Sequence, residues 1–261
     1  MIEKILRLFG VYSLYERWLE RIVGSGDIPQ HLAVILDGNR RWARSVGIPP
    51  SKAYRFGADK VEELLRWCLK IGIKIVTLYV LSVENIMRRP REELEEIYRI
   101  LMEKAERFLK DETVWREKVR FRVIGRLDYL PGELAESLRR LERETMHHDR
   151  FHLNIAVAYG GRAEIVDAVR KICSKVAEGE LQPDQVDEET IEHNLYTNGL
   201  PKPDPDLVIR TSGEERISNF LLWQIAYSEL VFLDVYWPSF RRIDLLRAIR
   251  TYQQRTRRFG G

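Results

Sequence analysis

Long hydrophobic runs are missing from this chain of 261 residues. No stretch approaches the ~20 apolar residues a membrane-spanning helix needs, and the N-terminus lacks a signal-peptide pattern. Cysteine is scarce: Cys68 and Cys173 lie in helical patterns without metal-like spacing. Both read as buried reduced thiols, which points to a reducing compartment and a cytoplasmic protein. No excess of one charge exists, because 43 basic residues face 40 acidic ones. A net charge of +3 gives no mandate for nucleic acid. Three phosphate signatures are also missing. Without GxxxxGK[ST] the chain is not a P-loop nucleotidase, and without GxGxxG after its first strand it lacks a dinucleotide site. There is no aspartate-rich DDxxD helix, internal repeat or low-complexity tract.

What is present is organised around Leu32 to Trp42, LAVILDGNRRW. An unbroken apolar run reads as a strand buried on both faces, the usual state in a parallel sheet. Further strands read at Ile73–Leu81, Val119–Ile124, Leu153–Val157, Leu207–Ile209 and Leu230–Val235. Helical periodicity separates them over Lys52–Ile71, Arg91–Lys110, Leu134–Thr145, about 161–176, Ser218–Tyr227 and from Asp244. Alternating strands and helices predict one α/β domain, with a mostly parallel six-stranded sheet flanked by helices. Residues 1–26 read as an N-terminal amphipathic helix before the α/β domain proper at 27–261. Trp18 and the tyrosines of that helix suit a membrane interface, or the helix packs on its own domain.

Several strands run directly into polar clusters, which a parallel sheet gathers on one rim. Asp37 can hold a hard cation through oxygen, and Gly38 lets backbone approach a ligand closely. Asn39 both donates and accepts, and Arg40 and Arg41 offer planar forks for phosphate oxygens. Ser82 to Asn85 and Arg210 to Ser218 add hydroxyls, amides and further arginines. Together they describe a site for a polyanion with a divalent cation, most simply a diphosphate with Mg2+. His147-His148-Asp149 with His152 reads as an exposed loop after a charged helix.

The blocks LDGNRRWA, TLYVLSVEN followed by RRP, NIAVAYGGR, DLVIRTSGEERISNFLLWQIAYSEL, FLDVYWPSF and RRFGG resemble the cis-prenyltransferases. That family contains undecaprenyl and dehydrodolichyl diphosphate synthases, and the resemblance runs from His31 to the C-terminus. It implies an apolar tunnel, for which the inner faces of the Lys52–Ile71 and Arg91–Lys110 helices are candidates. It implies condensation of isopentenyl diphosphate with an allylic diphosphate, giving a cis-polyprenyl diphosphate. Asp37 then binds Mg2+ on the allylic diphosphate and Glu229 is the second metal-linked carboxylate. Gly38, Asn39, Arg40, Arg41 and Trp42 line the allylic diphosphate site. Arg210, Arg216, Ile217 and Ser218 hold the isopentenyl diphosphate, and Asn85 helps remove the proton. Ser82, Val83 and Glu84 accompany Asn85 in the second block as substrate-binding positions.

The resemblance also implies a homodimer whose Arg258-Phe259-Gly260 ending reaches a partner's site; peripheral membrane contact is the expectation carried by the N-terminal helix alone. This chain departs from the family where Tyr54 stands for a phosphate-facing histidine. Pro50 stands for an arginine that Lys52 could replace. Ile86 stands for an aromatic residue, and an added residue leaves the substrate arginine as Arg88 or Arg89. The reading from another class is a catalytically silent relative that activates a partner subunit.

Overall fold

Strand β1 (His31–Ile35) is buried at all five positions in the computed structural model, which describes residues 11–255. Successive side chains of a strand point to opposite faces. Leu32 and Val34 accordingly join the larger apolar cluster, while Ala33 and Ile35 join a second cluster behind the sheet. Both faces are apolar, so the run is continuous rather than alternating.

The chain proceeds through α1 (Val11–Gly24), β1, α2 (Asn39–Val46), α3 (Pro50–Ile71), β2 (Ile75–Ser82) and α4 (Val83–Arg88). It continues through α5 (Arg91–Lys110), α6 (Glu112–Arg116), β3 (Val119–Ile124), α7 (Gly132–Glu144) and β4 (Phe151–Tyr159). Helices α8 (Gly161–Ala177) and α9 (Glu188–Glu192), strands β5 (Leu207–Arg210) and β6 (Glu229–Phe232), and α10 (Arg242–Gln254) complete it. The six strands lie in the order β3-β4-β2-β1-β5-β6, and every pairing is parallel. Strands β2, β3 and β4 fill one side of β1, with β4 inserted between β2 and the edge strand β3, and the chain then crosses to place β5 on the other side of β1. Such a reversal opens a crevice at the carboxyl ends of the strands.

Helices α3 and α5 cover the face that carries Leu32 and Val34. Arg55–Glu103 (2.7 Å) and Lys104–Glu62 (2.6 Å) tie the two helices together at their outer edges. Helix α1 packs on the same body through Leu19 and Val23, which are buried. Its Glu16 accepts from Arg242 of α10 at 2.9 Å, and Glu20 forms an ion pair with the same guanidinium at 2.5 Å. The Arg258-Phe259-Gly260 ending and residues 1–10 of the expected N-terminal helix lie outside the described residues.

Three expectations need correction. Residues 218–227 form successive turns instead of a helix, with φ of +48°, +64° and +44° at Ser218, Asn219 and Leu221. The apolar residues that suggested a helix, Phe220, Leu221 and Ile225, are buried from those turns into the second cluster. Cys173 is exposed on the outer side of α8, beside the half-exposed Val166 and Val169, and only Cys68 is a core thiol. His152 is not in an exposed loop, because β4 begins at Phe151 and buries it.

Candidate functional site

The carboxyl end of β1 turns sharply at Gly38, whose φ of +103° a side chain rarely adopts. A Cβ there would lie 2.8 Å from the Tyr236 ring. That turn starts α2 at Asn39, so residues that read as a polar tail are the first turn of a helix. Thr211, which follows β5, holds the turn from the other side. Its hydroxyl donates to the Asp37 carbonyl (2.7 Å) and accepts from the Asp37 N–H (3.1 Å).

Asp37 is thereby fixed with its carboxylate facing two guanidinium groups. Arg210 Nη2 donates to Asp37 Oδ2 at 2.8 Å, and Arg41 Nη2 donates to the same oxygen at 3.2 Å. Arg41 also donates to Ser212 Oγ (2.6 Å) and Glu214 Oε1 (3.0 Å). Burial pushes the Asp37 carboxyl upward, but bonds and charge from Arg210, with Ser212 and Arg41, leave it below its ordinary range. The carboxylate is therefore ionised at neutral pH. Its side chain stays 27% exposed while that of Arg210 is only 7% exposed. Arg210 Nη1 donates to Ser218 Oγ (2.7 Å) and to the Arg216 carbonyl. Its Nε–H is buried and unpaired among the described residues. A buried charged donor without an acceptor is costly unless a ligand supplies one.

A second group stands across the crevice on α3, α4 and α5. The Tyr54 hydroxyl donates to Glu93 at 2.5 Å, and burial pushes its pKa up, so it stays protonated. Arg40 faces the same Glu93 at 3.6 Å. Arg89 lies over the Tyr54 ring (5.1 Å) and donates to Asn85 Oδ1 (3.1 Å). Arg88 is exposed on α4. Ser82 caps α4 by accepting from the Asn85 N–H at 3.0 Å. Glu84 accepts from Asn219 at 2.9 Å.

From this polar mouth an apolar cavity runs inward between α3, α5 and the sheet, about 950 Å³ counted to its opening. Asn39, Tyr54, Arg89 and Trp237 line the mouth, and Val61, Ile97, Phe108 and Leu153 line the depth. Asn39 Oδ1 is buried there and unpaired among the described residues. It occupies the space a Cβ on Gly57 would need, at 2.4 Å, which explains a glycine inside helix α3. A second hollow of about 820 Å³ continues toward the amino ends of the strands and shares Glu62, Phe108 and Leu153 with the first.

Some sequence-derived site residues fall elsewhere. Glu229 opens β6 in register with Leu207, at the amino end of the strand pair whose carboxyl end carries Arg210. It accepts from Arg255 at 2.9 Å, so within one chain it does not join Asp37. A parallel register separates residues that sequence reading alone had combined. Trp42 packs on Phe56 of α3, with ring centroids 5.1 Å apart, and does not line the cavity. Ile217 packs against the second apolar cluster, and Val83 begins α4 half-buried. Arg216 is exposed and pairs with Glu214. The sequence reading missed Glu93, Thr211 and Ser212. Thr211 and Ser212 lay inside the motif, whereas nothing in the sequence links Glu93 to Tyr54.

The prenyltransferase family described as undecaprenyl diphosphate synthase matches residues 35–260. The chain is 53% identical to the tritrans,polycis-undecaprenyl-diphosphate synthase (geranylgeranyl-diphosphate specific) of Methanopyrus kandleri, over 96% of this chain and 91% of that protein. It is 49% identical to the isoprenyl transferase of Thermus thermophilus over the full length of both. Among solved structures, lavandulyl diphosphate synthase from Lavandula x intermedia in complex with dimethylallyl diphosphate superposes with a TM-score of 0.86. It is 37% identical and covers 90% of this chain and 99% of that one.

Proposed function

This chain belongs to the undecaprenyl diphosphate synthase family of cis-prenyltransferases, and we propose that it extends an allylic diphosphate with isopentenyl diphosphate under Mg2+. The observation that carries the assignment of sites is the Asp37 carboxylate shared by Arg210 and Arg41, set between Leu36 and Asn39, which line the apolar cavity. The allylic diphosphate occupies the side formed by Gly38, Asn39, Arg40, Arg41 and Arg89, with its hydrocarbon tail in the cavity. Arg89 rather than Arg88 is the substrate arginine, since it lines that mouth. The isopentenyl diphosphate is held by Arg210, Arg216 and Ser218, and Asn85 stands by the carbon that loses the proton.

Mg2+ usually binds through one or two carboxylates completed by substrate phosphates and water. Asp37 suits that mode: it is ionised, partly exposed, and not part of any cluster of three acidic, histidine or cysteine ligands among the described residues. When bound, the ion would neutralise the departing diphosphate and ease rupture of the allylic C–O bond. The arginines act in the same sense on the developing charge. The homoallylic partner keeps its diphosphate, and holding it by Arg210 and Ser218 aligns its double bond with the allylic carbon. Such alignment supplies much of the rate.

The two hollows flanking Phe108 form a tunnel for the growing chain. Each added isoprene unit buries five carbons, worth about 3–4 kcal/mol at most. The relative from Methanopyrus is named as specific for geranylgeranyl diphosphate, which makes that the starter to test first. A homodimer and a membrane-surface contact through exposed Leu14 and Trp18 on α1 extend the reading. No helix among the described residues is long and apolar enough to cross a membrane.

The decisive assay uses the purified full chain with radiolabelled isopentenyl diphosphate and geranylgeranyl diphosphate, after chelation and after adding Mg2+. Extended product with Mg2+ and none in chelator is expected. No product from the chain alone with Mg2+ overturns the catalytic reading and leaves a subunit that activates another.

A further inference from the structure

Six non-glycine residues have positive φ among the described residues, and three of them, Ser218, Asn219 and Leu221, fall within four positions beside the anion-facing Arg210. Asparagine tolerates this left-handed region, but leucine has no such ease. A backbone of this kind persists only where its surroundings over-determine it. Here they do. The Asn219 carbonyl accepts from the Gly161 N–H at 2.7 Å. Its Oδ1 accepts from the Arg162 N–H at 2.9 Å, and its Nδ2 donates to Glu84 Oε1 at 2.9 Å. One residue thus joins the β5–β6 loop, the first turn of α8 and the first turn of α4.

Its neighbours give this junction meaning. Ser218 accepts from Arg210 through its hydroxyl and from the Tyr79 hydroxyl (3.4 Å) through its carbonyl. Asn85 follows Glu84 directly in α4. The Asn219–Glu84 bond therefore ties the loop bearing Ser218 to the helix bearing Asn85. We infer that Asn219 is a positioning residue, clasping Glu84 so that the diphosphate anchor of Arg210 and Ser218 stands at a fixed distance from Asn85. Both ends of the Asn219 amide are engaged within the protein, so it has no need of substrate. Glu84 changes role accordingly. A carboxylate is a poor ligand for a diphosphate, and its oxygen already serves the clasp.

The inference rests on the proposed reading of that anchor as the isopentenyl diphosphate site. Three variants of the full chain test it by steady-state kinetics toward each substrate. Asn219→Asp tolerates the same φ and still accepts from the Arg162 N–H, but it sets a carboxylate against Glu84. Pairing it with Glu84→Gln restores a donor–acceptor contact with the roles exchanged. Glu84→Ala opens the clasp from the exposed side and serves if the first variant does not fold. Asn219→Asp and Glu84→Ala are expected to raise the KM for isopentenyl diphosphate about tenfold, the worth of one lost hydrogen bond. The KM for the allylic substrate and the melting temperature stay near those of the parent, and the double variant regains most of the loss.

Unchanged kinetics in the single variants, or a double variant as impaired as Asn219→Asp alone, overturns the clasp. So does a parallel rise in both KM values together with a fall in melting temperature. Absence of any product from the parent chain overturns the enzymatic reading instead, so the two failures are distinguishable.

Discussion

Replacing Arg210 by leucine removes three things at once, and they can be read separately. The first is the anchor. Arg210 is nearly buried, with its Nη1 on Ser218 and an unpaired Nε–H, so a diphosphate would take charge-assisted bonds from a fixed donor. Losing two such bonds costs about 3 kcal/mol, or on the order of a hundredfold in the KM for isopentenyl diphosphate. The second is the counter-charge on Asp37. Burial already pushes that carboxyl up, and Arg210 contributes most of the opposing pull. Without Arg210 its pKa rises, so the acid limb of the rate profile moves to higher pH. The third is stability, where little is lost. Asp37 remains partly solvated and keeps Arg41 at 3.2 Å, so the expected cost is about 1 kcal/mol, far below that of a fully buried charge left unpaired.

Arg210→Lys separates charge from geometry, since it retains the positive charge without the planar fork. It should leave the acid limb near its parental position while still weakening isopentenyl diphosphate. The assay is initial-rate kinetics from pH 5 to pH 9 with each substrate varied in turn, beside thermal melts. An Arg210→Leu enzyme with unaltered KM and an unmoved acid limb would refute the reasoning.

Phe108 stands between the two hollows, and Phe108→Ala should widen the passage between them and shift chromatographed products to longer chains. Its stability cost is about 2 kcal/mol because the ring is only half-buried; unchanged product length would show that the second hollow takes no substrate. His31 is wholly buried, and that burial lowers its pKa to about 4. Its neutral form therefore stabilises the fold fully above the unfolded value near 6.5, and the contribution, about 3 kcal/mol, is lost as pH falls toward 4. Melts from pH 7 to pH 4 should show this loss, and His31→Gln should flatten it; an equally steep decline in the variant would assign it elsewhere. Tight burial of long product implies that release limits turnover. Detergent should then raise the steady-state rate and leave the first turnover unaltered, whereas equal acceleration of both places the limit elsewhere.

Much of the site was legible because parallel α/β folds convert sequence order into position. A strand buried on both faces must be apolar throughout, so its polar end announces the rim, and Asp37 and Arg210 meet there at 2.8 Å. Local turn chemistry was less legible. Gly38 leads into α2 where the residues read as a polar tail of the strand, and Ser82 caps the unrecognised α4. The apolar run after Ser218 satisfied helical spacing, yet its backbone turns left-handed to bury Phe220 and Leu221 behind the sheet.

The family, the α/β alternation and the polar clusters at the strand ends follow from the amino-acid sequence itself, because strand ends and motif spacing are local properties. Tertiary structure alone decided which of those residues share space. Register set Glu229 at the far end of β6 from Asp37, packing laid Arg89 over the Tyr54 ring and left Arg88 exposed, and the engagement of both amide atoms of Asn219 emerged only when three separate segments converged. Distances between elements depend on how their apolar faces close on one another, and no stretch of the chain encodes that alone.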